Sequence, residues 1–285
     1  MKNSENILKA LNFFENNLRN EISITDAADA SGYSPYHFCR LFSALTGYSP
    51  KEYLLKRRLS EAAKDIIKSD DKIISIAFDY QFNSHENFSR AFKKVFGLNP
   101  AELKKKKSVS DIDIVNPVTH YNIYKPEFNK YLLPEFVKRE KFYLSGLVTL
   151  VEKNEQIITE LWNKFMIDIP NIENRVLPEQ YYQLVFWPLE YDLAGQFFMI
   201  CIESKDLENI SHCLVGKKIP ESNYARFIHK GISKDVWKTM KYIYEEWLPN
   251  TDYELSYPYA FEYYGKNFIG PDNPESESEI FIPIK

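Results

Sequence analysis

The sequence predicts a multidomain protein: an all-α N-terminal domain with two helix-turn-helix motifs, then an α+β C-terminal domain. Three observations carry this reading. Apolar residues recur at helical spacing up to the basic run Lys104–Lys107 and in strand-like runs after it. A gapless repeat at an offset of 50 residues lies wholly on the helical side. Charge divides at the same place, with 18 Lys/Arg against 13 Asp/Glu in residues 1–108 and 18 against 27 in residues 109–285. The net charge of −4 therefore averages a basic half and an acidic half suited to different partners. The boundary is set after the lysine run, giving domains 1–107 and 108–285.

The first helix carries Ile7, Leu8, Leu11, Phe14 and Leu18 on one face. The repeat follows. Ser34, Phe38, Arg40, Phe42, Gly47, Pro50 and Glu52 recur unchanged as Ser84, Phe88, Arg90, Phe92, Gly97, Pro100 and Glu102. Each copy spells one plan. A short helix (Ile24–Ala30; Ile74–Tyr80) leads into a turn. Ser34 or Ser84 caps the next helix by accepting a backbone N–H. The Phe pair, four residues apart, shares one buried face. Gly47 or Gly97 ends the helix in the left-handed conformation, and the following proline stops it. A basic connecting helix, Tyr53–Ser69, joins the copies.

This is a helix-turn-helix written twice. A lone motif is a weak signal, but a gapless duplicate with matched arginines is a specific one. Opposite the Phe pairs the second helices are polar. The first copy offers Tyr36, His37, Cys39 and Arg40, the second His85, Glu86, Asn87, Arg90, Lys93 and Lys94. Residues at this position meet base edges in the major groove, where Arg bonds guanine and Asn bonds adenine bidentately. Double-stranded DNA is the expected partner.

Residues 5–105 resemble the AraC/XylS family of transcription regulators. The carriers are SGYSPYHFCRLFSALTGYSPKEYLLKRRLSEA and IAFDYQFNSHENFSRAFKKVFGLNPAEL. The resemblance implies sequence-specific promoter binding, with Tyr36, Cys39, Arg40, His85, Glu86 and Arg90 as base-contacting candidates. Cys39 departs from the family, where a longer polar residue is common. Glu86 cannot donate to guanine and favours cytosine or faces outward.

After the boundary come the strand-like runs FYLSGLVTL, QYYQLVFW, QFFMICIE, NYARFIH, YAFEYY and EIFIPI, with helical windows at Asn154–Ile167 and Ser233–Trp247. This half holds all four Trp, fifteen Tyr and eleven Phe. An acidic, aromatic domain suits an apolar or cationic small-molecule effector, through ring faces and cation–π contact. Glu262 stands out between Phe261 and Tyr263, on the strand face of Ala260 and Tyr264. It either lines an aromatic cleft, where desolvation would raise its pKa, or faces solvent. Tyr182, Phe186, Trp187, Phe227, Trp237 and Tyr264 are the pocket aromatics, with core packing the competing role of each. Trp162 and Trp247 have the same two readings.

Residues 111–285 are similar to the effector-binding domain of GyrI-like proteins. The carriers are Gly146, LWNKF at Leu161–Phe165, NYARFIHKG, WLPNTDYEL, FEYY and the terminal EIFIPIK. The resemblance implies two strand–helix–strand halves meeting in a curved antiparallel sheet with two main helices and a central cleft. It also implies a small organic ligand, often cationic or hydrophobic.

Other chemistry is sparse. There is no phosphate-binding loop, dinucleotide fingerprint, zincin motif or nucleophile elbow. Cys201, His212 and Cys213 lack metal-ligand spacing, so no metal and no cofactor is expected. No catalytic residue is assigned, and the expectation is a non-enzyme. The alternative is a small-molecule hydrolase, or a drug-sequestering protein, joined to a DNA-binding module and resting on Glu262 alone. The N-terminus lacks a signal-peptide core, and no run nears the roughly 18 apolar residues of a membrane span, so the expected place is cytoplasmic, with no membrane partner. RNA polymerase is a further partner to consider.

Overall fold

Seven helices build the first half: α1 (Lys2–Asn16), α2 (Ile24–Ser31), α3 (Pro35–Thr46), α4 (Pro50–Lys68), α5 (Ile73–Asp79), α6 (His85–Phe96) and α7 (Pro100–Lys106). This computed structural model describes residues 2–110, 112–119, 123, 132–151, 156–187, 196–208 and 210–285. The chain divides into two units, Met1–Glu127 with Tyr244–Asp252, and Phe128–Ile243 with Tyr253–Lys285.

In the first unit the repeat folds as its residues dictate. The Ser34 and Ser84 hydroxyls accept the N–H of His37 and Asn87. Gly47 and Gly97 end α3 and α6 at φ of +75° and +77°, where a side chain would be strained. Pro50 and Pro100 act differently from expectation. Each opens the next helix rather than only stopping the last, because Ser49 and Asn99 cap it and the missing N–H costs nothing in a first turn. The connecting helix therefore starts a turn early, at Pro50. Phe42 sits at the centre of the first copy, 5.8 Å from Phe14 and 5.5 Å from Tyr53 between ring centroids. Phe82, Phe88, Phe92 and Phe96 form a chain of rings in the second.

The connecting helix α4 is anchored by charge. Arg57 is 2% exposed. Its guanidinium donates to both oxygens of Glu15, to Glu61 and to the Val115 carbonyl. The Val115 and Val118 N–H groups donate to Ser60 and Tyr53. The chain beyond the lysine run thus still packs on the helical unit.

The second unit is one eight-stranded antiparallel sheet. Its strands are β1 (Glu135–Arg139), β2 (Phe142–Val151), β3 (Tyr181–Phe186), β4 (Gln196–Ser204), β5 (Val215–Ile219), β6 (Ser222–Lys230), β7 (Tyr259–Tyr264) and β8 (Glu277–Ile284). They are ordered β1-β6-β8-β7-β3-β4-β2-β5. Two similar halves, β6-β8-β7 and β3-β4-β2, meet at the β7–β3 seam. The six expected strands are present, and β1 and β5 are added at the edges. Helix α8 (Gln156–Asp168) answers the first helical window, whose residues 154 and 155 lie outside the described ones. The second window splits into a 3-10 turn, α9 (Val236–Lys241) and a π-helical turn, Tyr242–Trp247.

Connectivity forces the sheet to curl. Only Glu140 and Lys141 join β1 to β2, a span of about 10 Å at most. In a flat sheet these strands would lie about 29 Å apart, six spacings of about 4.8 Å. The sheet must therefore close on itself at that end as a half-barrel. Period-two alternation then gives each strand an inner and an outer face. The inner face holds Phe142, Leu144, Tyr182, Leu184, Met199, Cys201, Tyr224, Phe261 and Phe281. The outer face holds Leu147, Ile200 and Ile202, on which Phe165, Leu161 and Trp162 of α8 pack.

Candidate functional site

The two candidate reading helices differ in exposure. On α6 the sequence places Phe88, Phe92 and Phe96 on one face, and all three are buried. His85, Glu86, Asn87, Arg90, Lys93 and Lys94 are all exposed. Every second-copy residue chosen from sequence is therefore on the open side. The Glu86 carboxyl is held below its ordinary range by its own backbone N–H and the Ser84 hydroxyl, so it stays ionised at the helix N-terminus.

On α3 the picture is different. His37 is fully buried, with its ring 4.6 Å from that of Tyr33. Tyr36 is 8% exposed and packs with Tyr244, both within the first unit. Neither presents a free edge as the sequence reading expected. Their positions flank the Phe38–Leu41–Phe42 core arc, and Tyr33 and Tyr244 extend that core over them. The Arg40 guanidinium lies 4.7 Å from the Tyr244 ring centroid and 5.7 Å from that of Tyr36. Asn3 holds the same segment by donating to the carbonyls of Pro249 and Thr251. Cys39 is half-buried, and burial pushes its thiol up to about 12, so it stays a neutral, weak donor.

In the second unit Glu262 is 6% exposed on the outer face of β7. Its register partners are Gln183 and Ile280, and Phe227 continues the row across β8 to β6. Oε2 accepts a hydrogen bond from Tyr264 at 3.0 Å, and Oε1 is buried with no hydrogen-bond partner among the described residues. Burial lifts the carboxyl from its ordinary 4.5 to about 7, against the opposing pull of Ser278 and Tyr264. The Trp162 ring stands edge-on to Tyr264 at 5.3 Å, and its Nε1–H donates to Gln183 Oε1. His229, two residues along β6 from Phe227, is buried and bonded to Thr239 of α9.

The structure thus brings together Glu262 and Tyr264 of the predicted ligand residues, and sets Phe227 on the same face two strands away. It sets Tyr182 and Phe186 on the inner face, with Phe186 stacked on Phe197 and under the Lys217 ammonium. The sheet lies between them and Glu262. Trp237 is 54% exposed on α9, and Trp187 is half-buried just past β3. Gln183 and Ser278 were missed. Strand alternation assigns them a face, but only the inter-strand register puts them beside Glu262. Among the described residues no His/Cys/Asp/Glu group is arranged to hold a metal, and no helix is long and apolar enough to cross a membrane.

Comparison with known proteins agrees with both halves. Residues 27–106 match the helix-turn-helix domain family, and residues 135–284 match the integron-associated effector binding protein family. The HTH-type transcriptional activator AarP of Providencia stuartii is 38% identical over 95 residues, covering 33% of this chain and 70% of AarP. The right origin-binding protein of Escherichia coli (strain K12) is 28% identical over 292 aligned positions, 96% of each chain. A solved structure of SAV2435 bound to tetraphenylphosphonium aligns at 16% identity and a TM-score of 0.45, over 53% of this chain and 93% of that one. The chain belongs to the integron-associated effector binding protein family through its GyrI-like second half, and its first half makes it an AraC-type DNA-binding transcription regulator.

Proposed function

We propose that this regulator reads promoter DNA through α6 and α3 and answers to a small hydrophobic cation seated at Glu262. The DNA half rests on the exposed arc of α6, where Arg90 and Asn87 offer bidentate contacts to bases and Lys93 and Lys94 offer charge to phosphates. The effector half rests on one observation: a buried carboxyl whose Oε1 meets no hydrogen-bond partner among the described residues, with Tyr264 bonded to its Oε2 and Trp162 edge-on to that ring. A lone buried carboxylate is costly, and a cation brought against aromatic faces offsets that cost. Such a ligand regulates only if it binds one state of the protein more tightly than another.

The test is calorimetric titration of the full chain with tetraphenylphosphonium. Binding is expected to weaken more than tenfold in Glu262→Gln. It is also expected to weaken as pH falls below about 7, because the bound cation needs the ionised carboxylate. Equal affinity in the wild-type and Glu262→Gln chains overturns the assignment. A ligand that binds normally yet leaves promoter affinity unchanged in gel shifts overturns the regulatory role.

A further inference from the structure

The half-barrel has an inner face as well as an outer one, and a wide-mouthed, solvent-open cavity of about 560 Å³ lies against it. Arg139, Val176, Tyr182, Glu203, Tyr263 and Phe281 are among its lining residues. That volume is within the usual range for small-molecule sites, and barrel mouths are a common place for them. The cavity is on the opposite side of the sheet from Glu262, which is not among its lining residues.

Arg139 gives the cavity its chemistry. Its guanidinium lies 4.6 Å from the ring centroid of Phe142, 5.1 Å from Phe281, 5.5 Å from Phe261 and 5.7 Å from Tyr182. Arginine at an aromatic surface usually also meets a carboxylate bidentately. Here the second cation, Arg226, has taken the neighbouring carboxylates, Glu135 and Glu279. Arg139 makes one hydrogen bond, to the neutral Tyr182 hydroxyl at 3.0 Å, and no ion pair among the described residues. Tyr182 in turn donates to Glu203 at 2.7 Å. A guanidinium has five N–H donors, so most of its capacity faces no acceptor among the described residues.

We infer that the half-barrel interior is a second small-molecule site, taking an aromatic ligand with a single carboxylate. The ring packs on the Phe281 and Tyr263 surfaces, and the carboxylate pairs with Arg139. Glu203, held one hydrogen bond away through Tyr182, disfavours ligands with a second negative charge. The site is independent of the outer-face cation site and has the opposite charge preference.

The test titrates the full chain with 1-naphthoate and, as a neutral control, 1-naphthalenemethanol. One-to-one binding of the naphthoate is expected, with the alcohol at least tenfold weaker. Arg139→Gln is expected to lose more than tenfold in naphthoate affinity. Val176→Trp, which fills the cavity without changing its charge, is expected to lose a similar amount, so the outcome does not depend on one variant folding. Glu262→Gln is expected to bind naphthoate as the wild type does, which separates this site from the outer one. Absence of naphthoate binding at millimolar concentration overturns the inference. So does equal affinity for the alcohol, undiminished binding by both cavity variants, or displacement of naphthoate by tetraphenylphosphonium.

Discussion

At the residue scale, Glu262 ties the stability of the second unit to pH. Its folded-state pKa is raised from 4.5 to about 7, so the folded state holds the proton more tightly than the unfolded chain. Stability contributed by this group is full below about pH 4.5 and is lost as pH rises through about 7, a fall of about 3 kcal/mol. Thermal unfolding across that range should show the slope, and Glu262→Gln should flatten it. A slope unchanged in the variant would mean that another group titrates. The site was half legible in the sequence. The FEYY run marks Glu262 as a carboxylate amid rings, but its alternation does not say whether that strand face is covered. Trp162 covers it from α8, a hundred residues away, and no local pattern encodes that distance.

At the element scale, the two proposed reading helices, α3 and α6, share a scaffold but not an environment. Helix α4 sets their separation, and Arg57 fixes α4 against α1 and the stretch after α7. Arg57→Ala leaves Glu15 without its cation, while Glu61 keeps Lys64. Because both carboxylates are partly exposed, the cost is expected near the low end for a broken buried pair, about 3 kcal/mol in denaturant unfolding. Helix α3 carries a second test. Arg40 is stacked on Tyr244, so Tyr244→Ala should release the guanidinium and tighten specific promoter binding in gel shifts. Weaker or unchanged binding would show that the ring merely supports α3. The helical phase of α3 was legible in its Phe pair. The burial of Tyr36 and His37 was not, because Tyr244 comes from a distant stretch with the same aromatic composition as any core segment. The short edge strands β1 and β5 escaped for a related reason: five residues each, with Glu135, Lys138 and Arg139 in one and Gly216, Lys217 and Lys218 in the other, look like loop.

At the scale of the whole molecule, a basic reader and an acidic sensor occupy one chain, and overall charge describes neither. Two helix-turn-helix units on one connector should protect two groove segments about one turn, roughly 34 Å, apart in hydroxyl-radical footprints. Arg90→Ala should cost about 1–3 kcal/mol at one base position and relax specificity there, while Lys93→Ala should weaken all sequences alike and lower the salt slope by about one. A single protected segment would mean that α3 does not engage. The change from helical to strand-like spacing was legible in the sequence, whereas the first unit runs on past the lysine run to Glu127 and takes in Tyr244–Asp252. The curl of the sheet was not legible, since it follows from which strands pair, and the two-residue β1–β2 link acquires meaning only once the strand order is known.

The duplicated helix caps have an evolutionary consequence. Ser34 with Gly47 and Ser84 with Gly97 define the ends of α3 and α6 by backbone chemistry alone, and the Phe pairs hold the inner faces. Nothing in that framework constrains the solvent-facing positions between the caps. The second copy is therefore free to drift in sequence on its outer side without risk to its fold, while the first is held at Tyr36 and His37 by their burial. A change of sequence preference is therefore open to α6 at no cost to its fold, while the same change in α3 would have to keep its aromatic core.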